Sequence, residues 1–127
     1  MPKKNSILII DDEKDFCYFV KKNLELESQY KVIVAAAGGK GIWYAYWHRP
    51  QLILLDIIMP GVDGFAVLKK LKENKRTMSI PVIVLTAKND DECKMQAALY
   101  SEDYVTKPVE IDALKSKIEN VLAKCAR

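Results

Sequence analysis

The sequence predicts an α/β domain, a parallel sheet covered by helices on both faces. Three observations carry this. Short, almost wholly apolar runs alternate five times with segments whose apolar residues recur at helical spacing. The polar residues of the runs fall at their ends and not in their interiors. No linker, internal repeat or low-complexity stretch interrupts the alternation, so residues 1–127 read as one domain.

Each element follows from its own residues. Ser6–Ile10 is a β-branched run closed by Asp11-Asp12-Glu13, a buried strand before an acidic helix start. Phe16, Phe19, Val20 and Leu24 then mark the apolar face of a first helix. Val32–Ala35 is the second strand, and Gly38-Gly39 ends the connection that follows it. A second helix runs to about His48 and is stopped by Arg49-Pro50, with His48 favoured by the helix dipole. Leu52–Leu55 is the third strand and delivers Asp56, after which the chain turns through Met59-Pro60-Gly61 and Asp63-Gly64. Phe65, Val67, Leu68 and Leu71 pattern a third helix. Pro81 introduces a fourth strand, Val82–Leu85, ending at Thr86. Asp90 can cap a fourth helix that runs roughly to Leu99. Tyr104-Val105 is a short fifth strand ending at Thr106-Lys107-Pro108. The last helix carries Ile111, Leu114, Ile118, Val121, Leu122 and Cys125 on one face.

Composition narrows the class. The chain is 50% hydrophobic and 29% charged, the profile of a soluble globular protein. A short basic tail of about residues 1–5 precedes the first strand; no signal-peptide core or membrane span is expected, and the chain reads as cytoplasmic. Cys17, Cys93 and Cys125 lack paired-ligand spacing and read as reduced structural thiols. A net charge of +3, spread along the chain, does not point to nucleic acid.

The strand ends carry the chemistry. In an open α/β sheet, ligands bind outside the carboxyl ends of the strands where strand order reverses. With the flavodoxin-like order 2-1-3-4-5, Asp11, Asp12 and Asp56 converge on one crevice. A like-charge pair about 4 Å apart costs on the order of 4 kcal/mol at an effective dielectric near 20. Such a cluster needs a cation, and oxygen ligands with open positions suit Mg²⁺. Lys107 adds a compact positive charge and Thr86 a hydroxyl donor. Together these parts describe a site for a phosphoryl group. Taken singly, Asp12 could be a helix cap, Thr86 an ordinary strand end and Lys107 a solvated surface residue. Asp56 resists that reading, because a carboxylate closing a buried run needs a partner.

The motifs Ile9-Ile10-Asp11-Asp12-Glu13, Leu54–Gly64, Val84-Leu85-Thr86-Ala87 and Asp103–Pro108 stand in one order along the whole chain. In these the chain resembles the receiver domain of two-component response regulators, the CheY-like family. The resemblance implies a flavodoxin-like (βα)5 three-layer sandwich. It implies that Asp56 accepts a phosphoryl group from a phosphohistidine of a sensor histidine kinase or phosphotransfer protein. Asp12 and Asp56 would bind Mg²⁺ directly with the backbone carbonyl of Ile58, and Asp11 mostly through water. Lys107 and Thr86 would contact the phosphoryl group, assisted by the Ala87 N–H, and Lys107-Pro108 would be cis. Tyr104 would swing inward and re-shape the surface of the fourth helix, fifth strand and fifth helix, where a downstream protein would read the state; a homodimer is also allowed for, with no surface assigned to it. The implied role is signalling by protein contact, without turnover of a substrate, a membrane or direct nucleic-acid contact.

The chain departs from the family pattern in three places. Tyr100-Ser101 stands where many receivers have Gly-Ala, so the fourth helix is expected to end differently. Apolar Ile58 cannot orient a water, which predicts slow self-dephosphorylation; Lys88 also flanks the crevice. The second helix is rich in aromatics, with Ile42, Ala45 and Tyr46 able to face the core and Trp43 and Trp47 on its outer side. The plainer reading folds that pair onto the helix stem, and the sharper one makes it a patch for a partner or self-association.

Two other classes share parts of the pattern. A Mg²⁺-dependent phosphatase of the haloacid dehalogenase type needs a second acid two residues after its nucleophile, where Ile58 stands. A flavodoxin-like electron carrier needs a hydroxyl-rich phosphate loop where Asp11-Asp12-Glu13 would repel phosphate. No output domain is expected after the fifth helix. Met1 favours a natural start, and Lys124-Cys125-Ala126-Arg127 decides nothing about a longer parent.

Overall fold

The computed structural model describes residues 5–27, 29–86 and 91–125. Ala87, Lys88 and Asp90, and the side chain of Cys93, lie outside the described residues, as does most of the basic tail. The elements run β1 (Asn5–Ile10), α1 (Lys14–Glu25), β2 (Tyr30–Ala35), α2 (Gly38–His48) and β3 (Leu52–Asp56). They continue with β4 (Ile58–Met59), β5 (Val62–Asp63), α3 (Gly64–Glu73), β6 (Val82–Thr86), α4 (Asp91–Tyr100), β7 (Asp103–Thr106) and α5 (Ile111–Cys125).

Five strands form one parallel sheet in the order β2-β1-β3-β6-β7, the order expected from the sequence once the small β4-β5 ribbon is set aside. The central strands are apolar throughout because both sheet faces are covered. Ile7, Ile9, Leu52, Leu54, Ile83 and Leu85 pack under α1 and α5. Leu8, Ile10, Ile53, Leu55, Val82 and Val84 pack under α2, α3 and α4. Side chains alternate between faces with a period of two, and none of these twelve is exposed.

Several helix faces differ from the sequence reading. In α1 the buried residues are Cys17, Val20 and Leu24, while Phe19 is exposed and Phe16 half-buried. The stripe starts at Cys17, whose thiol donates to the Asp11 carbonyl at 3.4 Å. Gly38 and Gly39 do not end a loop; they open α2. The helix lies so close to the sheet that a Cβ on Gly41 would meet Ile10 at 2.5 Å, and so close to α3 that one on Gly38 would meet Val67 at 2.8 Å. Ala45 is buried, whereas Ile42 and Tyr46 are half-buried. Tyr46 sits at the rim, where the Arg76 guanidinium stacks on its ring and Arg76 Nε donates to its carbonyl at 2.9 Å. Arg49 ends α2 in the left-handed region at φ 45°, ahead of Pro50. In α5, Cys125 is exposed, since the last turn runs past the final buried position, Val121.

The ribbon β4-β5 was not expected. Ile58 pairs with Asp63 and Met59 with Val62, closed by Gly61 at φ 71°. Its return is tight: a Cβ on Gly64 would lie 2.1 Å from Ile57 Cα. Asp63 accepts from Phe65 N at 2.9 Å and caps α3. The loop after Asp56 is thereby pinned to a helix start.

These glycines give a graded test by thermal melting. Gly39 meets nothing within 4 Å, so Gly39→Ala is expected to stabilise by about 0.5–1 kcal/mol through helix propensity. Gly41→Ala, pressed on buried Ile10, is expected to destabilise by about 1–2 kcal/mol despite the same propensity gain. Gly64→Ala, pressed on backbone, should cost more than either.

Candidate functional site

Three ladders each run one residue beyond their strands and so aim the polar groups. Asp11 N donates to Ala35 O at 3.1 Å, Ile57 N to Leu85 O at 3.2 Å and Lys107 N to Thr86 O at 2.7 Å. Asp11, Asp56, Thr86 and Lys107 therefore leave neighbouring strands at one end of the sheet.

Asp11, Asp12 and Asp56 each offer a carboxylate oxygen, and these oxygens lie within 4.8 Å of one another. Asp11 and Asp56 are buried and Asp12 is half-buried. The cluster expected from the strand order is thus assembled. Thr86 is buried beside it at the end of β6. Lys107 Nζ lies 2.8 Å from Asp11 Oδ2, 2.9 Å from Glu13 Oε1 and 3.5 Å from Asp56 Oδ2. It also stands 4.3 Å from the centre of the Phe16 ring. The Lys107-Pro108 peptide is cis, as the resemblance implied.

The electrostatics follow from burial. Asp56 is pushed up from 3.8 to about 6, first by loss of solvent and further by Asp11. The Ile58 N–H, 3.0 Å from Asp56 Oδ1, and the Lys107 ammonium work in the opposite direction. Burial would lower Lys107, but its close contacts with Asp11 and Glu13 and the charge of Asp56 raise it, so it stays charged. Cys17, under the cluster, is pushed up to about 12 by burial and then by Asp11, and it stays a thiol.

A divalent cation fits this donor set. Three carboxylates converge with one ammonium among them, and Asp11 Oδ2, though in charge contact with Lys107, has no aligned hydrogen-bond donor among the described residues. All-oxygen donors of this kind suit Mg²⁺. Ile58, two residues past Asp56, is 43% exposed and carries no acid, as a haloacid-dehalogenase-type phosphatase would require.

The rest of the expected set is more spread out. Tyr104 is half-buried against the α2–α4 side of the core, flanked by the ammonium groups of Lys94 and Lys117 at 6.0 and 5.9 Å from its ring. α4 ends without a left-handed residue: Ser101 N and Oγ both donate to Ala97 O. Tyr100 stands at the usual glycine position, the bonds from Ser101 close the helix instead, and Met95, Leu99 and Tyr100 are left exposed. Trp43 and Trp47 are 55% and 59% exposed, with ring centres 6.4 Å apart. Sequence reasoning missed Glu13 and Phe16 as partners of Lys107. Glu13 follows Asp11-Asp12 directly, and Phe16 lies about one turn into α1, but neither position reports that Lys107 arrives there.

The family model of the response regulator receiver domain matches residues 7–119. The chain is 36% identical over 118 residues to protein PilH of Pseudomonas aeruginosa, covering 92% of this chain and 97% of that one. It is 38% identical over 122 residues to the DNA-binding dual master transcriptional regulator RpaA of Synechocystis. That match covers 95% of this chain but only 50% of RpaA, so the chain spans about half the length of this relative. A CheY-like response regulator receiver domain protein of Methanospirillum hungatei superposes with a TM-score of 0.89 at 27% identity, covering 98% of both chains. The receiver domain of Francisella response regulator 1452 gives 0.85 at 30% identity, covering 98% of this chain and 100% of that one. With five parallel strands in this order and acids at their carboxyl ends, the chain belongs to the response regulator receiver domain family of two-component systems.

Proposed function

We propose that Asp56 is the phosphoacceptor of this receiver and that residues 1–127 act as one signalling domain. The reading rests above all on the convergence of Asp11, Asp12 and Asp56 with Lys107 and buried Thr86 at one sheet end. An Asp56 carboxylate oxygen forms a bond to phosphorus as the phosphorus–nitrogen bond of a partner's phosphohistidine breaks, and the imidazole nitrogen keeps the electron pair. Mg²⁺, held by Asp12, Asp56 and the Ile58 carbonyl, with Asp11 through water, would neutralise charge on the phosphoryl oxygens. Lys107 then shifts onto a phosphoryl oxygen, and the Thr86 hydroxyl and the Ala87 N–H donate to others. Tyr104 follows Thr86 inward, and the α4-β7-α5 surface changes shape. A pre-existing equilibrium is biased in this way, so that charge at one end is read at another surface.

The donor is a sensor histidine kinase or a phosphotransfer protein, and the output is protein contact, including homodimer formation. The chain itself gains and loses one phosphoryl group and turns over no other substrate. Among the described residues no helix is long and apolar enough to cross a membrane.

Incubation with Mg²⁺ and a small phosphodonor is expected to add a single phosphoryl group by intact mass. The addition should vanish in Asp56→Asn and when Mg²⁺ is removed by chelation; an unmodified wild-type chain would overturn the reading. The group should then persist for minutes or longer, because exposed Ile58 offers no polar atom to a water. Loss within seconds, followed by mass after desalting, would contradict that.

The raised Asp56 has a consequence without metal. Its folded value near 6 exceeds the ordinary 3.8, so between those values the native state binds more protons than the unfolded chain. The stability contributed by protonated Asp56 is present below about pH 4 and is lost as pH rises through about 6. Asp56→Asn should therefore stabilise the metal-free protein at pH 7.5 by on the order of 1–3 kcal/mol. The gain should fade towards pH 4, as melting curves in chelator would show.

A further inference from the structure

We propose that Glu13 is a positioning residue for Lys107. It holds the ammonium in a resting place off Asp56, and an incoming phosphoryl group has to compete with it. This rests on the reading of Asp56 as phosphoacceptor.

An ammonium has three N–H donors. Here the two short contacts go to Asp11 at 2.8 Å, an ion pair without an aligned N–H, and to Glu13 at 2.9 Å, where an N–H donates to Oε1 in the range of charge-assisted bonds. Asp56, the residue that Lys107 is to serve, is the most distant of the three at 3.5 Å. The Phe16 ring stands 4.3 Å away, so the ammonium rests between this ring and the carboxylates.

Glu13 is built to hold and release. Its backbone is fixed, for Glu13 N donates to Asp11 Oδ1 at 2.9 Å and its carbonyl accepts from Cys17 N at 3.0 Å. As the N-cap of α1 it makes no side-chain cap bond, so its carboxylate is not spent on the helix. That side chain is 60% exposed, whereas Asp11 is fully buried. A pair with one partner in solvent is cheaper to break than one with both partners buried. The Glu13 contact is therefore the one that yields when a phosphoryl oxygen arrives, with Asp11 keeping the lysine in reach. The loop sets a threshold: Lys107 is retained at the site but partly withheld from Asp56.

The test compares the initial rate of phosphoryl uptake, by intact mass with Mg²⁺, in wild type and Glu13→Gln. Two donors are used, singly charged phosphoramidate and doubly charged acetyl phosphate. Releasing an exposed pair is expected to raise the rate about two- to five-fold. The factor should be the same for both donors, and Glu13→Asp, which keeps the charge on a shorter stem, should lie between. The gain should disappear in a Lys107→Met background. An unchanged rate in Glu13→Gln would overturn the proposal. So would a gain that grows with donor charge or persists in Lys107→Met, since Glu13 would then act by repelling the donor. Should Lys107→Met fail to melt cooperatively, the two-donor comparison decides alone. A wild-type chain that takes no phosphoryl group would instead overturn the reading of Asp56, a separate and visible failure.

Discussion

The Lys107 ammonium is the contact on which the functional end of this molecule depends. A sheet buried on both faces has no place for charge inside, so the charged groups Asp11, Asp56 and Lys107 stand at or just past the carboxyl ends of their strands. There the carboxylates of Asp11, Asp12 and Asp56 crowd together, and only a cation makes the crowding tolerable. Lys107 supplies it from the far end of the sheet order, tying the last strand to the first and third. Its own backbone is fixed by the hydrogen bond that Lys107 N donates to Thr86 O. The resting site is a balance of charge in which burial, and not one strong bond, sets the tension.

That balance was partly legible from residues alone. Strands under two layers of helix must be apolar along their whole length, which is why Ser6–Ile10, Leu52–Leu55 and Val82–Leu85 could be read directly. Each closing acid, threonine or lysine then stood out by contrast. Helix faces were harder. Cys17 rather than Phe19 belongs to the α1 stripe, its thiol donating to the Asp11 carbonyl. Gly38 and Gly39 looked like a break, yet they belong to a helix that presses on the sheet through Gly41 and on α3 through Gly38. Close approach between elements leaves glycine in the sequence, as a turn does.

The site shows the same division. Which acids converge follows from topology, whereas which groups share one ammonium depends on a few ångströms between β7 and the start of α1. Glu13 and Phe16 meet Lys107 across more than 90 residues of chain, and no local spacing encodes that meeting. The end of α4 is intermediate: Tyr100-Ser101 flagged a departure from glycine, and the serine side chain supplies the replacement bond to Ala97.

Trp43 and Trp47, the chain's two tryptophans, both stand exposed on α2, edge-tilted against one another. Neither is among the groups around the acid cluster. The molecule's tryptophan emission is thus a property of one wet helix surface and not of its phosphoryl chemistry. Whatever happens around Asp56 is optically quiet unless it travels through the core to α2. Anything that covers that helix, by contrast, announces itself in colour.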